Sequence, residues 1–129
     1  MIVLDSCAYV EALTRPVSDP LRQRIAGLSL VHVPDGFDVE VLNILRRLCL
    51  RGALGVRRAA SELVALSSWG DVERHSIVPL LADMWRLRAN VTGYDAAYVA
   101  LAARLALPLV TTDARLARSP RLPCEVELS

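Results

Sequence analysis

Two aspartates stand where apolar, strand-like segments end. Residues 2–4, with the sequence IVL, run directly into Asp5, and the segment LPLVTT at 107–112 runs into Asp113. In an open sheet of parallel strands, ligand-binding groups gather at the carboxyl ends of the strands. A carboxylate at such an end can hold a hard cation or transfer a proton. The two junctions lie at opposite ends of the sequence, and together they indicate one site.

A third acid, Asp95, lies at the start of a helical pattern that is otherwise apolar. Between Tyr94 and Ala106 the only ionisable side chains other than the tyrosines are Asp95 and Arg104. A charged group at the mouth of a buried helix needs a partner, because an unpaired charge is costly to bury. Asp95 is therefore a candidate for the same site.

Each of these acids also has a purely structural interpretation. Residues 92–95, TGYD, fit a capping box in which the acid only satisfies the helix N-terminus. Asp5 and Asp113 precede helical patterns that they could cap. The structural interpretation stays open for every acid taken alone, while their joint placement favours a common site.

The segment DGFDVEVLNILRRL offers a fourth acid, but its sequence does not say which one. Its apolar stripe consists of Val41, Ile44, Leu45 and Leu48, and both Asp38 and Glu40 flank that stripe. Acids in a first turn are often present only to complement the helix dipole. Periodicity therefore leaves Asp38 and Glu40 as alternatives.

The elements that must position these acids alternate between short strands and longer helices. Strands are predicted at 2–4, 30–33, 72–77, 107–112 and 124–128, and helices at 6–14, 19–27, 36–51, 56–68, 79–88, 94–106 and 114–118. Strands that alternate with helices predict a mostly parallel sheet between two helical layers. We therefore expect an α/β fold of three layers, α/β/α, formed by residues 1–129 as a single domain.

The composition of the chain argues against a membrane-spanning or secreted protein. Hydrophobic residues make up 53% of the chain, yet no apolar run approaches the ~20 residues of a membrane span. The apolar stretch before Asp5 is also too short for a signal peptide. The three cysteines are odd in number and lack metal-ligand spacing, which is typical of reduced thiols. These features predict a cytoplasmic protein without a membrane partner.

All fifteen basic residues are arginines, and the net charge is +1. The absence of lysine excludes a phosphoacceptor receiver domain and a P-loop enzyme, because both need one. His32 and His75 are each isolated near a predicted strand, and we expect structural roles for them. One group of arginines could follow nucleic-acid phosphates, although a solvated helix face is the simpler interpretation. These are Arg46, Arg47, Arg51, Arg57 and Arg58.

Four segments of the chain resemble the motif blocks of PIN-domain ribonucleases, and most closely those of VapC-type toxins from prokaryotic toxin-antitoxin pairs. In order, they are IVLDSCAYVEAL, DVEVLNILRRL, TGYDAAYVALAARL and LVTTDARLA. The resemblance assigns the catalytic and metal-binding roles to Asp5, Glu40, Asp95 and Asp113, with Thr111 supporting Asp113. It thereby selects Glu40 over Asp38.

The chain departs from the family pattern at Cys7. Family members often carry a small hydroxyl residue two positions after the first aspartate, where this chain has a cysteine. A thiol is a poorer hydrogen-bond partner than a hydroxyl. We expect Cys7 to be a small buried hydrophobic residue.

The resemblance implies a metal-dependent endoribonuclease. Four converging carboxylates cannot all stay ionised unaided, and ligand sets made only of oxygen favour Mg²⁺ or Mn²⁺. The family further implies an RNA substrate, a cognate antitoxin protein as partner, and a homodimer. Two alternatives stay open. One is a PIN-fold RNA-processing nuclease without an antitoxin, and the other is an inactive PIN-like module that only binds protein.

Overall fold

The computed structural model describes residues 1–129 and contains five strands and seven α-helices. The strands are β1 (Ile2–Leu4), β2 (Val31–Pro34), β3 (Val72–His75), β4 (Leu109–Thr111) and β5 (Val126–Leu128). The helices are α1 (Ser6–Thr14), α2 (Pro20–Ala26), α3 (Phe37–Leu50), α4 (Val56–Ser67), α5 (Leu81–Arg86), α6 (Gly93–Leu105) and α7 (Ala114–Ala117). A short 3₁₀ turn at Val78–Leu80 precedes α5.

The five strands form one sheet in the order β3-β2-β1-β4-β5, and every neighbouring pair is parallel. β1 lies at the centre, where Val3 is in register with His32 of β2 on one side and with Leu109 of β4 on the other. The chain winds outward from β1 first towards β3 and then, after crossing back, towards β5. The reversal of direction beside β1 is the place where such sheets form their binding crevice.

Helices cover both faces of the sheet. α1 packs against α2 and α3, and α3 packs against α4, which makes one layer. On the other face α6 lies across β1, β2 and β4 and also packs against α5. The prediction of an α/β/α fold is confirmed, and the sheet is parallel throughout. None of the helices is long and apolar enough to cross a membrane.

The alanine-rich sequence of α6 explains its central position. All seven residues from Ala96 to Ala102 are buried, so the helix has no solvent face over two turns. Small alanine side chains allow a helix to approach the sheet closely, while Tyr98 and Leu101 fill the volume between them. The helix ends at Ala106, which adopts a left-handed conformation with φ of 53°.

Local signals set most element boundaries. Asp19 caps α2 by accepting hydrogen bonds from the amides of Leu21 and Arg22 at 2.9 and 3.4 Å, and Pro20 occupies the first helical position. The predicted strand 72–77 ends instead at His75. Its partner Pro34 is the last residue of β2, so the residues after His75 have no strand to pair with.

We expect Leu101→Ala to destabilise the protein by about 2–5 kcal/mol, because the side chain is 1% exposed and its removal leaves a cavity under the sheet. Leu50→Ala is the matched control, since Leu50 is 71% exposed at the end of α3. Urea unfolding followed by circular dichroism measures both values. Equal effects of the two substitutions would contradict the packing described for α6.

Candidate active site

Asp5 ends the central strand and is almost completely buried, with 4% of its surface exposed. It occupies the N-cap position of α1, but its side chain makes no capping hydrogen bond to that helix. Instead the carboxylate accepts hydrogen bonds from the hydroxyls of Thr111, at 2.6 Å, and Ser6, at 3.4 Å. Helix capping therefore does not account for Asp5.

Thr111 links the ends of two strands. Its buried hydroxyl donates to Asp5 Oδ2 and accepts a hydrogen bond from the amide of Asp113 at 3.0 Å. From the resemblance, Thr111 was expected to support Asp113 alone. In the structure the same hydroxyl also fixes the Asp5 carboxylate, so it sets the relative position of both acids.

Glu40 reaches the same region from the first turn of α3. Its Oε2 lies 3.3 Å from the Ser6 hydroxyl, and its Oε1 accepts a hydrogen bond from the Tyr98 hydroxyl at 3.1 Å. The Ser6 hydroxyl faces both Glu40 and Asp5, and because it carries one proton it donates to only one of them at a time. Ser6 therefore joins two of the four acids.

Asp38, the alternative to Glu40, points elsewhere. Its two carboxylate oxygens accept hydrogen bonds of 2.6 and 2.9 Å from the guanidinium of Arg74 on β3. This bidentate ion pair occupies Asp38 at the edge of the sheet. The structure thus separates two acids that the helical periodicity could not distinguish.

Asp95 and Asp113 lie at the N-termini of α6 and α7 and do serve those helices. Asp113 Oδ1 accepts hydrogen bonds from the amides of Arg115 and Leu116 at 2.9 and 3.3 Å, which is helix capping. At α6 the Thr92 hydroxyl accepts from the amide of Asp95 at 3.2 Å. Capping uses only Oδ1 of Asp113, so a capping role leaves Oδ2 available to a ligand.

The four acids act on one another electrostatically. Burial raises the pKa of Asp5, Glu40 and Asp95 above the ordinary carboxyl values. The charge of Asp113 further raises the pKa of Asp5 and of Asp95, and Asp5 and Asp95 both raise the pKa of Glu40. Hydrogen bonds from Thr111 and Tyr98 oppose these shifts. None of the four acids forms a salt bridge, and the charge of Arg115, which lowers the pKa of Asp95, is the smallest of the effects on that group.

Cys7 borders the four acids and is exposed, so the prediction of a buried hydrophobic residue is wrong. It follows Ser6 in the first turn of α1, where the helix faces the site. Partial desolvation by the surrounding protein, followed by the charges of all four acids, raises the pKa of its thiol to about 11. Cys7 is therefore a neutral thiol at pH 7.

Two contacts of the candidate site, those of Ser6 and Tyr98, were not predicted from the sequence. Ser6 directly follows Asp5, and Tyr98 lies three residues after Asp95, on the same face of α6. Both residues could have been recognised from the sequence as candidates, because a hydroxyl group in a wholly buried segment needs a hydrogen-bond partner. What the sequence does not show is that the partner is Glu40, 34 and 58 residues away respectively.

The donor set fits a hard divalent cation. Every candidate ligand atom is a carboxylate oxygen, and no basic side chain forms a salt bridge with any of the four acids. The acids are not tightly clustered, because no three of them place ligand oxygens within 4.8 Å of one another. Mg²⁺ usually retains several of its waters, so carboxylates at this spacing suit an ion held partly through water.

A cavity of about 390 Å³ opens beside Asp95 and contains basic and polar groups. Its lining includes Arg88, Asn90, Arg115 and Ser119. The charge of Arg115 lowers the pKa of Asp95 and so opposes the larger effect of burial. The arginines singled out from the sequence, at 46, 47, 51, 57 and 58, are exposed on and around α3 and α4 and do not line this cavity.

Comparison with known proteins covers nearly the whole chain. The family model described as PIN domain matches residues 2–122. Ribonuclease VapC1 from Mycobacterium tuberculosis strain H37Rv is 39% identical over 127 residues, which is 98% of this chain and 96% of that protein. Ribonuclease VapC9 from the same strain is 38% identical over 128 residues, again 98% and 96% of the two chains.

Solved structures share the fold at lower identity. VapBC2 from Rickettsia felis, bound to a DNA fragment from its promoter, superposes with a TM-score of 0.72 at 16% identity and covers 100% of this chain and 99% of that chain. VapC20 from Mycobacterium tuberculosis, described as a Sarcin-Ricin loop cleaving toxin, gives a TM-score of 0.68 at 17% identity and covers 91% and 93%. With the family match and the full-length relatives, these findings show that the chain belongs to the PIN domain family and, within it, to the VapC ribonucleases.

Proposed function

We propose that this chain is a divalent-metal-dependent endoribonuclease that acts as the toxin of a toxin-antitoxin pair. The observation that carries the proposal is Asp5, a buried carboxyl group that interacts electrostatically with three further acids and forms no salt bridge. The full-length relatives named ribonucleases support the reaction. Structural neighbours described as a VapBC assembly and as a toxin-antitoxin complex from Klebsiella pneumoniae support the protein partner.

The four acids would have different roles in metal binding and catalysis. Asp5, Asp95 and Asp113 would contact Mg²⁺ or Mn²⁺ directly or through water, while Glu40 would hold a second ion or orient the attacking water. When bound, such an ion polarises the scissile phosphodiester and lowers the pKa of the attacking water.

Three hydroxyls keep these acids in place. Thr111 and Ser6 fix the orientation of Asp5 through hydrogen bonds, and Tyr98 fixes that of Glu40. Because these donors are buried or part-buried, the carboxylates need little reorganisation when an ion binds.

The cavity beside Asp95 would receive the RNA. Arg115 and Arg88 lie in its lining, and arginine binds phosphate oxygens through two parallel N–H groups. A phosphodiester held there would lie next to the acids, and the two arginines would supply the positive charge that the acids lack. RNA as substrate also makes the cytoplasm the proposed place of action.

Glu40→Gln should reduce RNA cleavage by at least about 100-fold, because it removes a charge that holds the ion or orients the water. Asp38→Asn is the matched control two residues away. It loses only a partly exposed ion pair with Arg74, worth about 0–1 kcal/mol, and should cleave at the wild-type rate. Cleavage of a labelled RNA is measured with Mg²⁺, with Mn²⁺ and with excess EDTA. Full activity in EDTA would refute the metal requirement, and no cleavage by well-folded wild type would favour the inactive module.

The metal-free protein should lose stability as the pH rises above about 4. Carboxyl groups with a raised pKa hold protons in the folded state that the unfolded chain has already released, so their contribution to stability falls as pH rises through the window between the two pKa values. Asp95→Asn removes one such group. Relative to wild type, its unfolding free energy should therefore increase between pH 4 and pH 7.

Binding of Mn²⁺ to the folded state should reverse this loss by about 2.7 kcal/mol at roughly 100 times its dissociation constant. Melting curves in EDTA and in Mn²⁺, recorded for wild type and Asp95→Asn at several pH values, test both statements. Identical pH profiles for the two proteins, together with no response to Mn²⁺, would show that these acids form no ion site.

Expression of this chain alone should arrest bacterial growth, and expression together with the protein encoded beside it should restore growth. The Glu40→Gln variant should be harmless but should still co-purify with that partner, because the substitution preserves the fold and the shape of the surface. Growth curves and affinity co-purification give both results. Active nuclease that does not impair growth would instead favour an RNA-processing enzyme without an antitoxin.

A further inference from the structure

Three side chains with metal-ligand chemistry meet on one face of the sheet, outside the four-acid site. His32 of β2 is in register with Glu73 of β3, and His75 lies two residues further along β3. Side chains two residues apart on a strand share a face, so the register of the two strands brings all three together. The histidines that the sequence showed as isolated therefore contact each other.

The distances within this group are close to those of a coordination sphere. His32 Nδ1 and His75 Nε2 are 2.9 Å apart. Oε2 of Glu73 lies 3.7 Å from His32 Nδ1, and Oε1 of Glu73 lies 3.9 Å from His75 Nε2. A tetrahedral ion with bonds of about 2.0–2.1 Å separates its ligand atoms by about 3.3 Å. The three ligand atoms already lie within 4.8 Å of one another, and the Glu73 side chain, 55% exposed, has the freedom to move closer.

The group is short of positive charge in the absence of an ion. When both rings are neutral, one of the two facing nitrogens donates the proton between them and the other accepts it, so neither nitrogen has a further proton for the Glu73 carboxylate. A second proton would supply that contact, but burial, followed by the neighbouring His75, lowers the pKa of His32. Neutral imidazole is the form that binds metal ions.

Space for further ligands exists beside His75. A cavity of about 240 Å³ opens there, lined in part by Ser76, Pro79 and Arg104. The guanidinium of Arg104 donates a hydrogen bond to the carbonyl of Pro79 at 3.3 Å, so it is already engaged within this cavity. A water molecule could therefore complete the coordination of an ion from this side.

We propose that His32, Glu73 and His75 form a second metal site, for an ion of the Zn²⁺ class with water as its fourth ligand, which ties the edge strand β3 to β2. Two imidazoles and one carboxylate suit Zn²⁺ and similar ions, whereas the oxygen-only donors around Asp5 suit Mg²⁺ or Mn²⁺. The two sites thus differ in both place and chemistry. This inference does not depend on the proposed nuclease activity.

Zn²⁺ is titrated calorimetrically into the purified protein in excess Mg²⁺, which competes for carboxylate-only sites. We expect one Zn²⁺ per chain and a rise in melting temperature. Binding should weaken by at least about tenfold in His75→Gln and Glu73→Gln, the lower limit seen when even an outer partner of a ligand is lost. It should be unchanged in Glu125→Gln, an exposed glutamate that forms no salt bridge, and in Asp113→Asn.

Magnetic resonance gives a second readout that needs no variant. The chain has only two histidines, so the nitrogen-detected ring signals of both can be followed directly. Zn²⁺ should shift both sets of signals, and Co²⁺ should produce the visible absorption of a tetrahedral ion. Undisturbed histidine signals at saturating Zn²⁺ would overturn the proposal. Equal affinity in His75→Gln, or affinity lost only in Asp113→Asn, would overturn it as well.

Discussion

The carboxyl group of Asp5 is buried at the end of the central strand, and the surrounding side chains are arranged around it. An ionised carboxylate removed from water costs several kcal/mol unless hydrogen bonds or opposite charge compensate it. Thr111 and Ser6 supply hydroxyl donors, but no basic side chain approaches closely enough to form an ion pair. The fold therefore retains a buried carboxyl group whose ionised form is only partly compensated, and burial raises the pKa of that group. Such local cost is typical of sites that are completed by a ligand.

The parallel topology explains why this cost is concentrated in one place. β1 lies between β2 and β4, so Asp5 at its end meets Asp113 from the end of β4 on one side and the start of α3 on the other. The helices α3 and α6 both begin at this edge of the sheet, which brings Glu40 and Asp95 to it. The hydrogen bond from Tyr98 to Glu40 then connects the two helical layers at this edge of the sheet.

Signals that act over a few residues made most of the fold predictable. The Asp19 cap with Pro20, the alternation of apolar runs, and the alanine-rich pattern of α6 all operate locally, and the structure follows them closely. Assignments that depend on distant partners were not accessible in the same way. Asp38 and Glu40 flank the same helical stripe, and only Arg74, 36 residues from Asp38, and Tyr98, 58 residues from Glu40, separate their roles. The contact of His32 with His75 depends on the register of β2 with β3, which no local pattern encodes.

The edge strand β3 affects the candidate active site through β2 and α3. The amide of Asp35, just after β2, donates a hydrogen bond to the carbonyl of His75 at 2.8 Å, and Arg74 binds Asp38 in the first turn of α3. The backbone contact of Asp35 fixes the turn from which Glu40 projects, whereas the partly exposed ion pair of Asp38 adds little to that restraint. An ion shared by β2 and β3 would add a third restraint on this turn, since His75 takes part in both the strand pairing and the proposed site. The position of Glu40 thus depends on contacts made at the far edge of the sheet as well as on its own partners, Ser6 and Tyr98.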